Sequence, residues 1–171
     1  MNTTSKNVIL IGFMGAGKTS IGQEFAARSG RAFLDTDEYI EKKAGMTVSN
    51  IFDTMGEETF RKMETEALRD LIRASGYYVI SVGGGLPMRE ENRSLLKELG
   101  TVVYLKVSPE TVAERLKGDT TRPLLKGDNP RKKIEELLSV RGPLYEEAAH
   151  IIVDTDGRTP EEITAEIVQF A

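Results

Sequence analysis

At 171 residues, with 39% hydrophobic and 29% charged residues, the chain has the makeup of one globular domain, long enough to bury roughly two thirds of the surface its unfolded form exposes. Its apolar runs are only a few residues long where a membrane-spanning helix needs about twenty, and its net charge of −4 speaks against a general nucleic-acid binder. The absence of cysteine excludes disulfides, thiolate metal sites and thiol nucleophiles.

No apolar stretch of signal-peptide length follows the N-terminus, so a cytoplasmic protein is expected. The first element is the apolar run Val8–Ile11, a buried strand by composition. It runs directly into Gly12-Phe13-Met14-Gly15-Ala16-Gly17-Lys18-Thr19, which satisfies G-x-x-x-x-G-K-[ST] between a strand and an amphipathic segment, the setting that makes the pattern a phosphate-binding loop. Glycines there let successive N–H groups turn toward one anion, Lys18 reaches the β- and γ-phosphates, and the Thr19 hydroxyl suits Mg²⁺. The helix opening after the loop adds its positive end.

Strand-like runs recur at Ala32–Leu34, Tyr78–Val82, Val102–Lys106 and Ile151–Val153 with helical patterns between them, which predicts a parallel sheet covered on both faces. Apolar residues from Phe60 to Ile72 fall at three- and four-residue spacing and predict a core-facing helix over Gly56–Ala74. Ser108-Pro109-Glu110 and Thr159-Pro160-Glu161 each read as an N-cap, a proline at the first helical position and an acid in the first turn. Two segments depart from core character. Ser81–Pro87 ends a strand with Gly83-Gly84-Gly85, a place for close backbone approach, and Gly118–Pro130 is a long polar loop of the kind that forms lids.

Among residues that carry chemistry, Asp35 and Asp37 flank Thr36 at the carboxyl end of the second strand, where ligands of open parallel sheets collect. In extended chain they share a side, so one carboxylate can approach Mg²⁺ while the other accepts a proton from an attacking hydroxyl. The alternative is an ordinary strand end, or an aspartate capping a helix from Glu38. Arg61 and Glu64 share a helix face; they are either a surface pair or a fork for a carboxylate. Arg141 is unremarkable by itself, yet two arginines and a glycine corner suit a small anionic polyol. Arg122, inside the long loop, is either solvated or delivered by closure onto the transferring phosphoryl group. From Arg115 to Arg141 eight basic residues stand against four acidic ones, a concentration of positive charge in an acidic chain. His150, the one histidine, is assigned no role.

Taken in order, the phosphate loop, Asp35-Thr36-Asp37, Phe60-Arg61-x-x-Glu64, Gly83-Gly84-Gly85, Arg122-Pro123-Leu124-Leu125 and Arg141-x-x-x-Tyr145 resemble the shikimate kinases, nearly from end to end. The resemblance implies a single-domain, three-layer α/β/α P-loop kinase fold over residues 1–171. Its five-stranded parallel sheet would have the order 2-3-1-4-5, with a substrate-binding subdomain over about 35–64 and a mobile lid over about 118–130. It implies ATP-dependent phosphorylation of the 3-hydroxyl of shikimate, on the route to chorismate and the aromatic amino acids, by a monomer that uses one Mg²⁺ ion per subunit and has small molecules as its partners.

By resemblance Asp37, Arg61, Gly83, Gly84, Gly85 and Arg141 contact shikimate, Asp37 as base and the arginines on the carboxylate, with Glu64 as the partner of Arg61. Gly15, Ala16, Gly17, Lys18 and Thr19 hold the phosphates, Thr19 and Asp35 the metal side, Arg115 and Arg158 the adenine side, and Arg122 is the lid arginine. Gluconate-type and nucleotide kinases share the fold, and gluconate too is a carboxylated polyol; a regulatory module that keeps the loop without chemistry is the rival from another class.

Overall fold

The computed structural model describes residues 7–117 and 129–170. Five parallel strands, β1 (Val8–Ile11), β2 (Ala32–Asp35), β3 (Tyr78–Ser81), β4 (Thr101–Lys106) and β5 (Ile151–Asp154), form one sheet of order β2-β3-β1-β4-β5. The strand order and the parallel pairing are those expected from the sequence. Every residue of β1 is buried, as a central strand covered on both faces requires, and each such aliphatic side chain contributes about 1.5–3 kcal/mol. Because all strands run one way, the segments that leave β1, β2 and β3 emerge along one sheet edge, and that edge carries the site.

Helices α1 (Lys18–Ser29) and α8 (Pro160–Phe170) pack together as one layer. Helices α4 (Glu57–Ala74), α5 (Glu90–Leu99) and α7 (Pro130–Ala148) pack in succession as the other. The two proline-led starts form as predicted: the Ser108 hydroxyl accepts from the Thr111 N–H at 3.2 Å to open α6 (Pro109–Arg115), and that of Thr159 from the Glu162 N–H at 3.2 Å to open α8. Helix α7 runs on through Pro143, beyond the Gly142-Pro143 pair that punctuates the sequence. Pro143 has no N–H to donate to the carbonyl one turn earlier, a local loss that the burial of Ile134, Tyr145 and Ala148 offsets.

Residues 36–67 build a second, smaller core. Ile40 of α2 (Thr36–Ala44), Ile51 of α3 (Val48–Met55) and Phe60 and Ala67 of α4 pack with one another, apart from the main core. That satellite packs α2 and α4 against each other beside the sheet edge. Among the described residues no helix is long and apolar enough to cross a membrane. The expected lid segment falls largely on 118–128, outside the described residues.

Candidate active site

A cavity of about 520 Å³ opens at the carboxyl edge of the sheet and gathers residues from six parts of the chain. Its lining includes the loop residues Met14 to Thr19, the pair Asp35 and Asp37, the pair Arg61 and Glu64, the corner Gly83–Gly85, and Arg141. A larger cavity of about 640 Å³ lies around Asn7, Gly100 and His150, away from any phosphate loop or carboxylate pair. His150 there closes the sheet: its Nδ1 accepts from the Val102 N–H at 2.9 Å.

The phosphate loop is shaped by glycine. Gly15 and Gly17 sit at φ of 80° and 89°, left-handed values that an L side chain rarely adopts, and Gly17 opens α1 with no side-chain cap. The first N–H groups of α1 are therefore left facing the cavity, at the positive end of the helix. Lys18 folds back over the loop, its Nζ donating to the carbonyls of Gly12 at 2.5 Å and Phe13 at 3.2 Å. Arg115 meets the same loop from α6, donating to the Gly15 carbonyl at 2.6 Å.

Asp35 and Asp37 both line the cavity, but the extended geometry expected for them is not what holds them there. Helix α2 begins at Thr36, two residues earlier than Glu38, because Asp35 caps it: Oδ1 accepts from the N–H groups of Asp37 at 2.9 Å and Glu38 at 3.2 Å. Asp37 thus stands in the first helical turn. Its Oδ1 is buried and has no hydrogen-bond partner in the protein. Burial and the neighbouring Asp35 charge push the Asp37 carboxyl up to about 6, against the pull of Lys18 and Arg61.

Arg61 lines the cavity from the neighbouring helix α4. Nη1 donates to Oε1 of the buried Glu64 at 2.7 Å, and the guanidinium lies 6.0 and 5.5 Å from the ring centres of Phe52 and Phe60. The surface alternative for the Arg61–Glu64 pair does not hold, since the Glu64 side chain is only 1% exposed. Burial pushes Glu64 up to about 7 in spite of Arg61, and its Oε2 is a second unpartnered buried oxygen. Those two orphans, Asp37 Oδ1 and Glu64 Oε2, converge on Gly83: a Cβ there would meet them at 3.2 and 3.3 Å.

The rest of the corner is equally tight. A Cβ on Gly85 would lie 2.7 Å from both terminal nitrogens of Arg61, and one on Gly84 3.2 Å from Nη1 of Arg141. Arg141 extends from α7 with its guanidinium 5.8 Å from the Phe13 ring centre, and one turn on, the Tyr145 hydroxyl donates to the Gly84 carbonyl at 2.6 Å. Burial pushes the Tyr145 phenol up to about 12, with the Arg141 charge pulling the other way.

Of the site residues singled out by sequence, Arg115 and Arg158 are not in the lining of this cavity; Arg115 reaches its edge through the Gly15 carbonyl, and Arg158 stands apart. It donates to the carbonyls of Asp154 and Glu162 and pairs with Glu166 at 2.9 Å, tying β5 to α8. Arg122 lies outside the described residues. Ser20, Val48 and Phe52 line the cavity without having been picked out, as isolated apolar or hydroxyl residues carry no motif.

A phosphate loop beside carboxylates and arginines, at the edge of a 2-3-1-4-5 parallel sheet, defines a P-loop kinase of small molecules. The family profile described as shikimate kinase matches residues 14–171. A shikimate kinase of Thermodesulfovibrio yellowstonii is 47% identical over 164 residues, 96% of this chain and 94% of that one. The shikimate kinase of Acinetobacter baumannii, solved in complex with shikimate, aligns with a TM-score of 0.90 at 41% identity, covering 98% of this chain and 92% of the other. A gluconokinase from Sinorhizobium meliloti 1021 aligns with a TM-score of 0.58 at 18% identity over 98% and 92% of the two chains, a likeness of fold alone. The chain belongs to the shikimate kinase family.

Proposed function

We propose that this chain transfers the γ-phosphoryl group of ATP to the 3-hydroxyl of shikimate, giving shikimate 3-phosphate and ADP on the route to chorismate. The observation that carries it is the meeting in one cavity of a phosphate loop, an unpartnered carboxyl oxygen and two arginines flanking a glycine corner.

Gly15 to Thr19 hold the phosphates by their N–H groups, and Lys18 exchanges the Gly12 and Phe13 carbonyls for the transferred phosphoryl group. Arg61 and Arg141 take the shikimate carboxylate from two sides of the corner, with Glu64 fixing the Arg61 fork. The Gly83–Gly85 backbone supplies the floor. Asp37 accepts a ring hydroxyl on its free oxygen. As the O–P bond forms and the bond to the β,γ-bridging oxygen breaks, the hydroxyl proton passes to Asp37 and ADP departs with the bridging oxygen. A carboxyl raised to about 6 is still mostly ionised near neutrality and is a stronger base than an ordinary aspartate.

Mg²⁺ fits the donors present. Among the described residues no cluster of three or more metal-ligating side chains exists. The cavity instead offers the exposed Thr19 hydroxyl and Asp35, whose Oδ1 is used in capping while Oδ2 remains. One or two protein oxygens completed by water and phosphate oxygens is how Mg²⁺ is usually held. When bound, the ion neutralises charge on the phosphates. Arg115, at the end of α6, and Arg158, between β5 and α8, serve the adenine side.

A coupled ADP-release assay with Mg-ATP across shikimate, gluconate and AMP tests the assignment. Turnover on shikimate alone is expected; turnover on gluconate or AMP without shikimate overturns it, and none on any favours a nucleotide-dependent binding module.

A further inference from the structure

Six successive carbonyls, from Gly83 to Met88, each have a donor. Those of Gly83 and Gly85 accept from the N–H groups of Leu86 at 3.1 Å and Met88 at 3.2 Å, and that of Gly84 from Tyr145. The remaining three are held from α5: Leu86 by Asn92 Nδ2 at 2.9 Å, Pro87 and Met88 by Arg93 Nη1 at 3.0 and 2.9 Å. Yet α5 contributes no residue to the cavity lining. Side chains remote from the ligand thus fix the backbone on which it rests.

Asn92 is fully buried and has a second contact, its Oδ1 accepting from the Thr65 hydroxyl at 2.7 Å. The amide orientation is not ambiguous: a carbonyl can only accept, so Nδ2 faces Leu86 and Oδ1 faces Thr65. Thr65 stands one turn after Arg61 on α4, its hydroxyl 3.2 Å from the Arg61 carbonyl. Leu86 follows Gly85. The path Arg61, Thr65, Asn92, Leu86, Gly85 therefore closes a ring whose last contact is the guanidinium against Gly85, where not even a methyl group has room. Within the low dielectric of the interior such a satisfied network specifies one relative placement of its ends.

We propose that Asn92, acting with Thr65, is a positioning residue of the acceptor pocket. It holds the helix that carries Arg61 at a fixed offset from the glycine corner, and so sets the grip on a carboxylated acceptor that it never touches. This rests on the assignment of Arg61 and the corner to the shikimate carboxylate. Misplacing a binding group by a fraction of an ångström weakens that ligand, while the phosphate loop, which shares no member of the ring, keeps its own.

The test is steady-state kinetics on Asn92→Leu, Thr65→Val and Thr65→Ser beside the unaltered enzyme, with thermal midpoints measured in parallel. Leucine and valine keep the volume and lose the hydrogen bonds; serine keeps the hydroxyl. The first two should raise KM for shikimate about tenfold and leave KM for ATP within about twofold, with Thr65→Ser near normal. The double variant Asn92→Leu, Thr65→Val should be little worse than either alone, since both cut one path. Parallel rises in both KM values, a lowered midpoint with unchanged KM, or a Thr65→Ser variant as impaired as Thr65→Val would each overturn the role and leave a merely structural network. Should Asn92→Leu fail to fold, the two Thr65 variants decide alone. An unaltered enzyme without turnover on shikimate overturns the assignment beneath this proposal and the proposal with it; an active one whose Thr65→Val variant keeps its KM overturns the positioning role only.

Discussion

The phosphate loop and the acceptor corner sit in one cavity but are made in different ways. The loop is eight consecutive residues running from the end of β1 into the first turn of α1, shaped by glycine dihedrals and by a lysine that folds onto its own loop. The corner is assembled from α2, α4, the segment after β3, and α7, and each piece is held by a partner from elsewhere: Asp35 caps the turn that presents Asp37, Glu64 fixes Arg61, Tyr145 and Asn92 fix the backbone. The loop has few outside partners, Arg115 on the Gly15 carbonyl being one, so it fails chiefly when its own residues change. An assembled site has many remote points of failure, each of which should touch the acceptor and spare the nucleotide.

The sharpest separation should come from Asp37→Asn. It removes the proton acceptor while leaving the Asp35 cap, which binds the backbone N–H and not the side chain. We expect kcat to fall by about 10²–10⁴ with ATP affinity nearly unchanged. Near-normal kcat would remove Asp37 from the chemistry, and a parallel loss of ATP binding would show that the two regions are not separable.

Next in size is Gly85→Ala. Gly85 has φ of −88° and ψ of −10°, a conformation alanine adopts freely, so the backbone is expected to gain about 0.4–1 kcal/mol from a less flexible unfolded chain. The obstacle is the Arg61 guanidinium at 2.7 Å, the mobile end of a long side chain. It can swing aside, but it then leaves both the buried Glu64 carboxyl and the shikimate carboxylate, so some of the backbone gain is offset. A charged hydrogen bond of about 1.5–3 kcal/mol corresponds to a rise of about 10–100-fold in KM for shikimate. A stable protein with unchanged KM would mean that Arg61 binds the acid from another rotamer.

The same contrast explains what the sequence could disclose. Strands, their parallel sense, the phosphate loop, the α4 stripe and the Ser108 and Thr159 caps are local patterns and were legible, whereas the strand order came only with the family resemblance. Arg61, Glu64, Gly83–Gly85 and Arg141 could be picked out as candidates, but their roles followed only from the family pattern; by spacing alone the Arg61–Glu64 pair is indistinguishable from a surface pair, and its burial depends on how α4 packs. The start of α2 at Thr36 was missed because a capping aspartate and a strand-end aspartate look alike in sequence. Thr65, Asn92 and Arg93 carry no signal at all: a threonine and an asparagine on helices usually face solvent, and only the packing of α4 on α5 turns them inward.

Glu64 gives the corner a pH signature. Its folded pKa of about 7 lies above the ordinary 4.5, so between those values the folded protein binds more protons than the unfolded chain. Its contribution to stability is therefore fullest at low pH, falls as pH rises from about 4.5 to about 7, and is level above. Urea-unfolding series on the unaltered protein and Glu64→Gln should show their stability difference declining across that window. A flat difference would mean that Arg61 holds Glu64 ionised throughout.

The mildest change, Tyr145→Phe, bears on a place where the two regions touch. Tyr145 is fully buried, so phenylalanine fills the same space and loses only the hydroxyl on the Gly84 carbonyl. Leaving that acceptor without its donor should cost about 1–3 kcal/mol of stability and raise KM for shikimate by about threefold, because the loosened corner also loses the neighbour that steadies Arg141. Arg141 lies over Phe13 of the phosphate loop, and Gly84 faces the Gly12 carbonyl. If those contacts transmit strain, KM for ATP will rise along with KM for shikimate. If KM for ATP holds while KM for shikimate moves, the Phe13 ring is a surface against which Arg141 slides, and the loop keeps its shape because its glycines and Lys18 determine it from within.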